Sequence, residues 1–235
     1  MSVSLASSIS VSVLVFAVVG CRSTPATAET WPVPVYEEAF HHLVYQNAFV
    51  RVLDVQLPAG DTSQYHVHAD PLVGVSVQAA RSWEQLLGAP PGSIEAPGPV
   101  PAVGGDWDRA RPYTHRVGNA DMVSFHNIVG EWLSSPGLEC PALADTDSRH
   151  LVKETQIVRI YEARLAAHAT EEAHVHACPG LTVLGTPGTL SDEGTSPVAA
   201  GGTGAGRWEW RNAGHRHVLR NSGGTPLIVY EINWR

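Results

Sequence analysis

His66-Val67-His68-Ala69-Asp70-Pro71 recurs 108 residues later as His174-Val175-His176-Ala177-Cys178-Pro179. The match extends outward in the same register. His42-Leu43-Val44 meets His150-Leu151-Val152, Val50-Arg51-Val52 meets Val158-Arg159-Ile160, Leu57 meets Leu165 and Thr62 meets Thr170. Beyond a loop that is six residues shorter in the second copy the offset becomes 102, so that Gly104 meets Gly206, His115 meets His217 and Asn119 meets Asn221. Self-similarity at a fixed offset marks a duplicated unit. The first copy is read as residues 35–133 and the second as 150–235. Residues 134–149, rich in Ser, Pro and Asp, are the expected linker.

Within each copy the hydrophobic period is that of strands. Phe49 to Leu57 and Ile157 to Leu165 alternate apolar and polar residues over much of their length. No segment offers a helical face longer than two turns, and Trp83 to Leu87 reads equally as strand or helix. The glycine-rich stretches 88–105 and 185–206 read as loops or lids. The expected fold class is all-β.

Composition narrows the function. The chain has 235 residues, 43% hydrophobic and 16% charged, with a formal net charge of −8. Lys153 is its one lysine, so there is no basic footprint for a nucleic-acid backbone. Twelve histidines are, by composition, about double an average share. Residues 9–20 form an apolar run of signal-peptide length, too short to span a bilayer. Val18-Val19-Gly20-Cys21 resembles a bacterial lipobox, although no Lys or Arg precedes the run. That resemblance implies a signal peptide over 1–20, lipidation at Cys21 and a tether over 21–34. The protein is then expected in the cell envelope or periplasm, touching membrane only through its lipid. Cys140 and Cys178 remain, as a disulfide or as two free thiols.

A His-x-His on a strand places both imidazoles on one face, about 6.5 Å apart along the chain, where both can reach one ion. A chain this rich in histidine makes such a pair by chance about once in two sequences, and His215 and His217 form a third. The weight rests on the repeat. The same H-V-H-A-x-P occurs in both copies, each followed by a His-x3-Asn.

These residues resemble the cupin superfamily, and the duplication resembles a bicupin. Gly60-x5-His66-x-His68 fits the start of the first cupin motif; in the second copy His168 stands in place of the glycine. Gly206-x5-Asn212-x-Gly214-x2-His217-x3-Asn221 fits the second motif with only its proline changed, and Gly104, Ala110, Pro112, His115 and Asn119 are a degenerate version. The resemblance implies two tandem small jelly-roll barrels. It also implies a metal site in each, held by His66, His68 and His115 and by His174, His176 and His217. The glutamate of the first motif is missing, since Leu72 or Val73 and Gly180 or Leu181 occupy its place. A three-histidine face without carboxylate resembles that of thiol and gentisate-type dioxygenases. Fe(II) is the expected ion, with Mn, Ni, Cu or Zn as alternatives.

Asp70 and its repeat mate Cys178 are candidates for an additional ligand or for a place behind the ligands. Trp107 and Trp208 are read as pocket or core, His41 and His42 as structural, and Arg51 and Arg159 as ion-paired or as binding a substrate carboxylate. The function implied is a metal-dependent oxygenase or related oxidoreductase acting on a small molecule. The alternatives are a non-catalytic small-molecule binder and a structural bicupin. Self-association is left open.

Overall fold

The computed structural model describes residues 31–106, 111–193, 198–199 and 204–235. The segment read as signal peptide and lipobox, with Cys21, and Trp107 lie outside the described residues. The fold is all-β, two jelly-roll barrels in tandem. In the first, a sheet ordered Val33–Pro34, His66–His68, Tyr113–Asn119, Ser82–Leu86 faces a second one. That second sheet is ordered His41–Gln46, Val50–Leu57, Phe125–Trp132, Leu72–Gln78, Ala102–Gly105. The other barrel has one large sheet, ordered Arg149–Glu154, Val158–Leu165, Leu227–Trp234, Gly180–Leu184, Trp208–Arg211, Val198–Ala199. Two ribbons complete it, His174–His176 with His215–His217 and Leu190–Asp192 with Leu219–Asn221.

Among the described residues, four short strands lie in segments read as tether or loop. Val33–Pro34, expected in the tether, pairs in parallel with His66 and Val67. Ala102–Gly105, Leu190–Asp192 and Val198–Ala199 are short strands inside the stretches read as loops or lids, and Ser82–Leu86, read as strand or helix, is a strand.

Strand alternation explains the core. In Val50–Leu57, Val50 and Val52 point one way, and Leu53, Val55 and Leu57 the other. Leu53 and Val55 of the second group cluster with Val35 and Val129 inside the first barrel. Val50 and Val52 instead join Val73, Val75 and Ile128 in a cluster with Val158, Ile160, Leu181, Val183, Trp210, Ile232 and Trp234. The largest apolar cluster is therefore built from both repeats, each burying the outer face of its larger sheet against the other. Trp208 is buried in this cluster.

The repeated motif residues hold turns. Gly60 sits at φ 78°, and His168, its mate, keeps the left-handed conformation at φ 61° despite its Cβ. Asn119 donates to the Leu57 and Val123 carbonyls, and Asn221 to those of Leu165, Ala166 and Thr225. The asparagine of the second motif thus ties the turn before the last strand to the end of another strand. Cys140, in the connecting segment, is disulfide-bonded to Cys178, with Cα atoms 5.5 Å apart.

A Cβ on Gly130 would lie 2.6 Å from the Trp234 ring, which is fully buried and cannot retreat. Gly130→Ala is expected to cost about 1–3 kcal/mol of stability through this overpacking. Urea unfolding measures it; an unchanged midpoint would show that the two repeats do not meet closely here.

Candidate metal centres

In the second barrel the antiparallel ladder puts His174 opposite His217 and His176 opposite His215. Opposed residues and alternate residues share a face, so three rings converge from two short strands. The Nε2 atoms of His174 and His176 are 3.0 Å apart, those of His176 and His217 3.0 Å, and those of His217 and His174 2.9 Å. Glu231, fully buried on Leu227–Trp234, completes the group, with Oε1 3.0 Å from His176 Nε2 and 2.8 Å from His217 Nε2. The carboxylate absent from the first motif therefore comes from the last strand, and the expectation of a carboxylate-free second site is corrected.

The outer nitrogens show which way the lone pairs point. His174 Nδ1 lies 3.1 Å from the Glu172 carbonyl, which only accepts, so Nδ1 holds the proton. His217 Nδ1 lies 2.8 Å from Asp192 Oδ2 and donates to it. In their neutral forms both rings aim an Nε2 lone pair at the Glu231 carboxylate. Such a convergence of acceptors is repulsive unless a metal ion, or a proton on one Nε2, lies among them. Neighbouring octahedral ligands at about 2.1 Å from an ion lie about 3.0 Å apart, which matches these nitrogen separations. The residues fit a metal ion.

Burial sets the protonation states. Burial, followed by the charge of Arg211, pushes the His176 imidazole down to about 3. Burial also opposes charge on His217, but its hydrogen bonds to Asp192 and Glu231 carry it above the ordinary histidine value. Glu231 is held well below the usual carboxylate range; burial opposes this, and His176, His174 and His217 outweigh it. Arg211, fully buried, donates to Thr182 Oγ1 and Asn233 Oδ1. Glu171 is ion-paired with Arg149, and its carboxyl is raised by burial and by the charge of Glu231.

The first barrel repeats the ladder with His66 opposite His115. The ring centroids of His66, His68 and His115 stand 4.6–5.0 Å apart, and His68 Nε2 lies 3.1 Å from His115 Nε2. His66 Nδ1 donates to the Gln64 carbonyl at 2.9 Å, and its Nε2 is buried without a protein partner. Burial, with the nearby rings of His41 and His115, pushes His66 down to about 2. Burial also lowers His68. A fourth ring is present: His41, read as structural, has its ring centroid 4.4 Å from that of His66, at an interplanar angle of 53°.

The other singled-out residues fall outside these groups. Asp70 is near Arg51 at 3.8 Å and borders a cavity of about 470 Å³ with Tyr36, Arg51 and Glu131. Cys178 has no thiolate to offer a metal, because its sulfur is bonded to Cys140. Arg51 is ion-paired with Glu131 at 2.6 Å, and Arg159 with Glu154 at 2.8 Å. His42 and His150 are exposed on their strands.

Sequence reasoning missed four residues of these groups. Glu84 and Asp192, which hold Nδ1 of His115 and His217, are repeat mates at the offset of 108. A search for paired acids in register would have found them. Glu231 and His41 have no such signal, since their mates are Val129 and Arg149.

No protein-family profile matches the chain, and no curated protein sequence does. Solved structures do resemble it. AerE from Microcystis aeruginosa is 11% identical, with 88% of this chain and all of that one covered at a TM-score of 0.55. Salicylate 1,2-dioxygenase from Pseudaminobacter salicylatoxidans is 11% identical over 80% of this chain and 72% of its own, at 0.53. A variant of that dioxygenase in complex with gentisate is also 11% identical, over 86% and 76%, at 0.55. At these identities the likeness is one of fold alone.

Proposed function

We propose that this chain is a bicupin that binds a divalent transition metal in each barrel and acts as a metal-dependent oxygenase on a small molecule. The observation that carries this reading is the convergence of His174, His176, His217 and Glu231 around one point, with the lone pairs of two rings turned inward by outer hydrogen bonds. The similar fold of a salicylate 1,2-dioxygenase supports the oxygenase class, and fold alone does not carry it.

His174, His176, His217 and Glu231 would hold one ion, and His66, His68 and His115 the other. When bound, the ion supplies Lewis acidity and redox chemistry toward dioxygen. The chain's own residues do the rest. Burial keeps His66 and His176 neutral and ready to ligate at neutral pH. Asp192 and Glu84 fix the orientation of His217 and His115 from behind. Glu231 balances part of the ion's charge where water is excluded. The cavity beside Arg51, Tyr36 and Asp70 is a place for a small molecule near the first barrel.

We propose also that the protein is exported, with residues 1–20 removed and Cys21 lipidated at the cell envelope. The disulfide between Cys140 and Cys178 supports an oxidising compartment.

Reconstitution with Ni(II) or Zn(II) is expected to give about two ions per chain, and His174→Ala and His66→Ala each to remove about one; fewer than about 0.1 ion per chain would sink the metal reading. Oxygen uptake with thiols, catechols, hydroxybenzoates and diketones then tests the oxygenase class. Full metal occupancy with no uptake on any of them would count against it.

The metal-free protein carries a pH signature. Unfolded histidine titrates near about 6.5, whereas His66 and His176 fall to about 2 and about 3 in the fold. Their contribution to stability is present above about pH 6.5 and is lost as pH falls toward the folded values, on the order of 1 kcal/mol for each by pH 5.5. The raised His217 acts in the opposite sense and offsets part of it. The urea midpoint is therefore expected to be lower at pH 5.5 than at pH 7.5, and His66→Asn to flatten the dependence. Equal midpoints for the metal-free protein would contradict the burial of neutral imidazoles.

A further inference from the structure

The two barrels differ by a reciprocal exchange of donors. In the first, position 41 is histidine and position 129 is valine; at the matching places of the second stand Arg149 and Glu231. His41 is turned toward the site by a built support. Its Nδ1 lies 2.6 Å from Glu38 Oε2, and the Glu38 side chain is 1% exposed. The same carboxylate accepts the Phe40 N–H at 2.9 Å and the Gln64 N–H at 3.1 Å. Gln64 in turn accepts the His66 Nδ1 proton through its carbonyl, so one carboxylate and one peptide unit orient two rings. With Nδ1 committed to Glu38, His41 presents its Nε2 lone pair. The ligating atoms of His41, His66 and His68 all lie within 4.8 Å of one another.

Carboxylates near this site are held back from it. Glu38 and Glu84 bind the outer nitrogens of His41 and His115, and Glu131 stands 3.8 Å from His68 Nδ1 while Arg51 holds its other oxygen. In the second barrel Arg149 is engaged with Glu171 and offers no lone pair, and Glu231 brings the fourth donor as an anionic oxygen.

We propose that the two barrels take different ions: an all-nitrogen site built on His41, His66 and His68, with His115 Nε2 beside His68, for a nitrogen-preferring ion such as Ni(II), Cu(II) or Zn(II), and the Glu231 site for an ion that favours a carboxylate, such as Mn(II). This rests on the metal-binding reading above. Neutral imidazoles leave the full charge of the ion uncompensated and suit the later, nitrogen-binding metals, whereas a carboxylate suits Mn(II).

The test uses the metal-free full chain with Ni(II) alone and Mn(II) alone, reading metal content by mass spectrometry after desalting. About two Ni(II) and about one Mn(II) per chain are expected, with Mn(II) falling below about 0.1 in Glu231→Gln while at least about one Ni(II) stays. His41→Ala is expected to weaken one Ni(II) site at least about tenfold without changing Mn(II), and Glu38→Gln, which leaves the ring in place, to weaken the same site about tenfold. Near-UV circular dichroism identifies a folded variant. Two equivalent Mn(II) ions in the unaltered chain, or unchanged Ni(II) affinity in folded His41→Ala and Glu38→Gln, overturns the proposal. Binding of neither ion at either site overturns the metal reading itself.

Discussion

The antiparallel pairing of each His-x-His strand with the strand of a distant third histidine is the constraint on which the rest depends. It is the same in both barrels, His66 opposite His115 and His174 opposite His217. The residues it joins are 47 and 41 positions apart in sequence, counted from the second histidine of each pair. A slip of one residue would turn a whole strand's side chains to the other face and scatter the rings. The motif asparagines support this register, since Asn119 and Asn221 anchor the turns that lead into the last strand of each barrel.

Burial then decides what the rings can do. Burial drives His66, His68 and His176 toward the neutral, ligating form, while Asp192 and Glu231 carry His217 the other way. Outer hydrogen bonds to Glu84, Asp192 and main-chain carbonyls choose the tautomer that turns Nε2 inward. The charged groups are distributed differently in the two halves. The first barrel keeps Glu131 tied to Arg51, whereas the second places Glu231 against three histidines with the buried Arg211 nearby. One duplicated framework therefore carries two electrostatic environments.

Much of this was legible in the sequence because duplication preserved it in register. The strand period of 50–57 and 158–165, the two His-x-His pairs and both His-x3-Asn segments specified the fold class and six of the histidines. What could not be read is what broke the symmetry. Glu231 lies in the last strand, far from the motif position where an acid was sought, and its mate Val129 is apolar. His41 sits in an edge strand among exposed residues, and only the fold shows that its ring turns back onto His66. The Cys140–Cys178 bond is likewise a matter of distance between the connecting segment and the loop before Gly180, which spacing alone does not supply. The shared core between the repeats was implicit in the apolar residues on the outer faces of both large sheets, whose partner only the assembled fold reveals.

The central claim is that these converging histidines are metal ligands and not merely hydrogen-bonded core residues. Anomalous diffraction from crystals of the metal-reconstituted protein, recorded on both sides of the absorption edge of the added ion, tests it most directly. One anomalous peak enclosed by His174, His176, His217 and Glu231 is expected, and a second among His66, His68 and His115. Fully reconstituted crystals with no peak at either place, and the imidazoles bonded only to one another or to water, would contradict it.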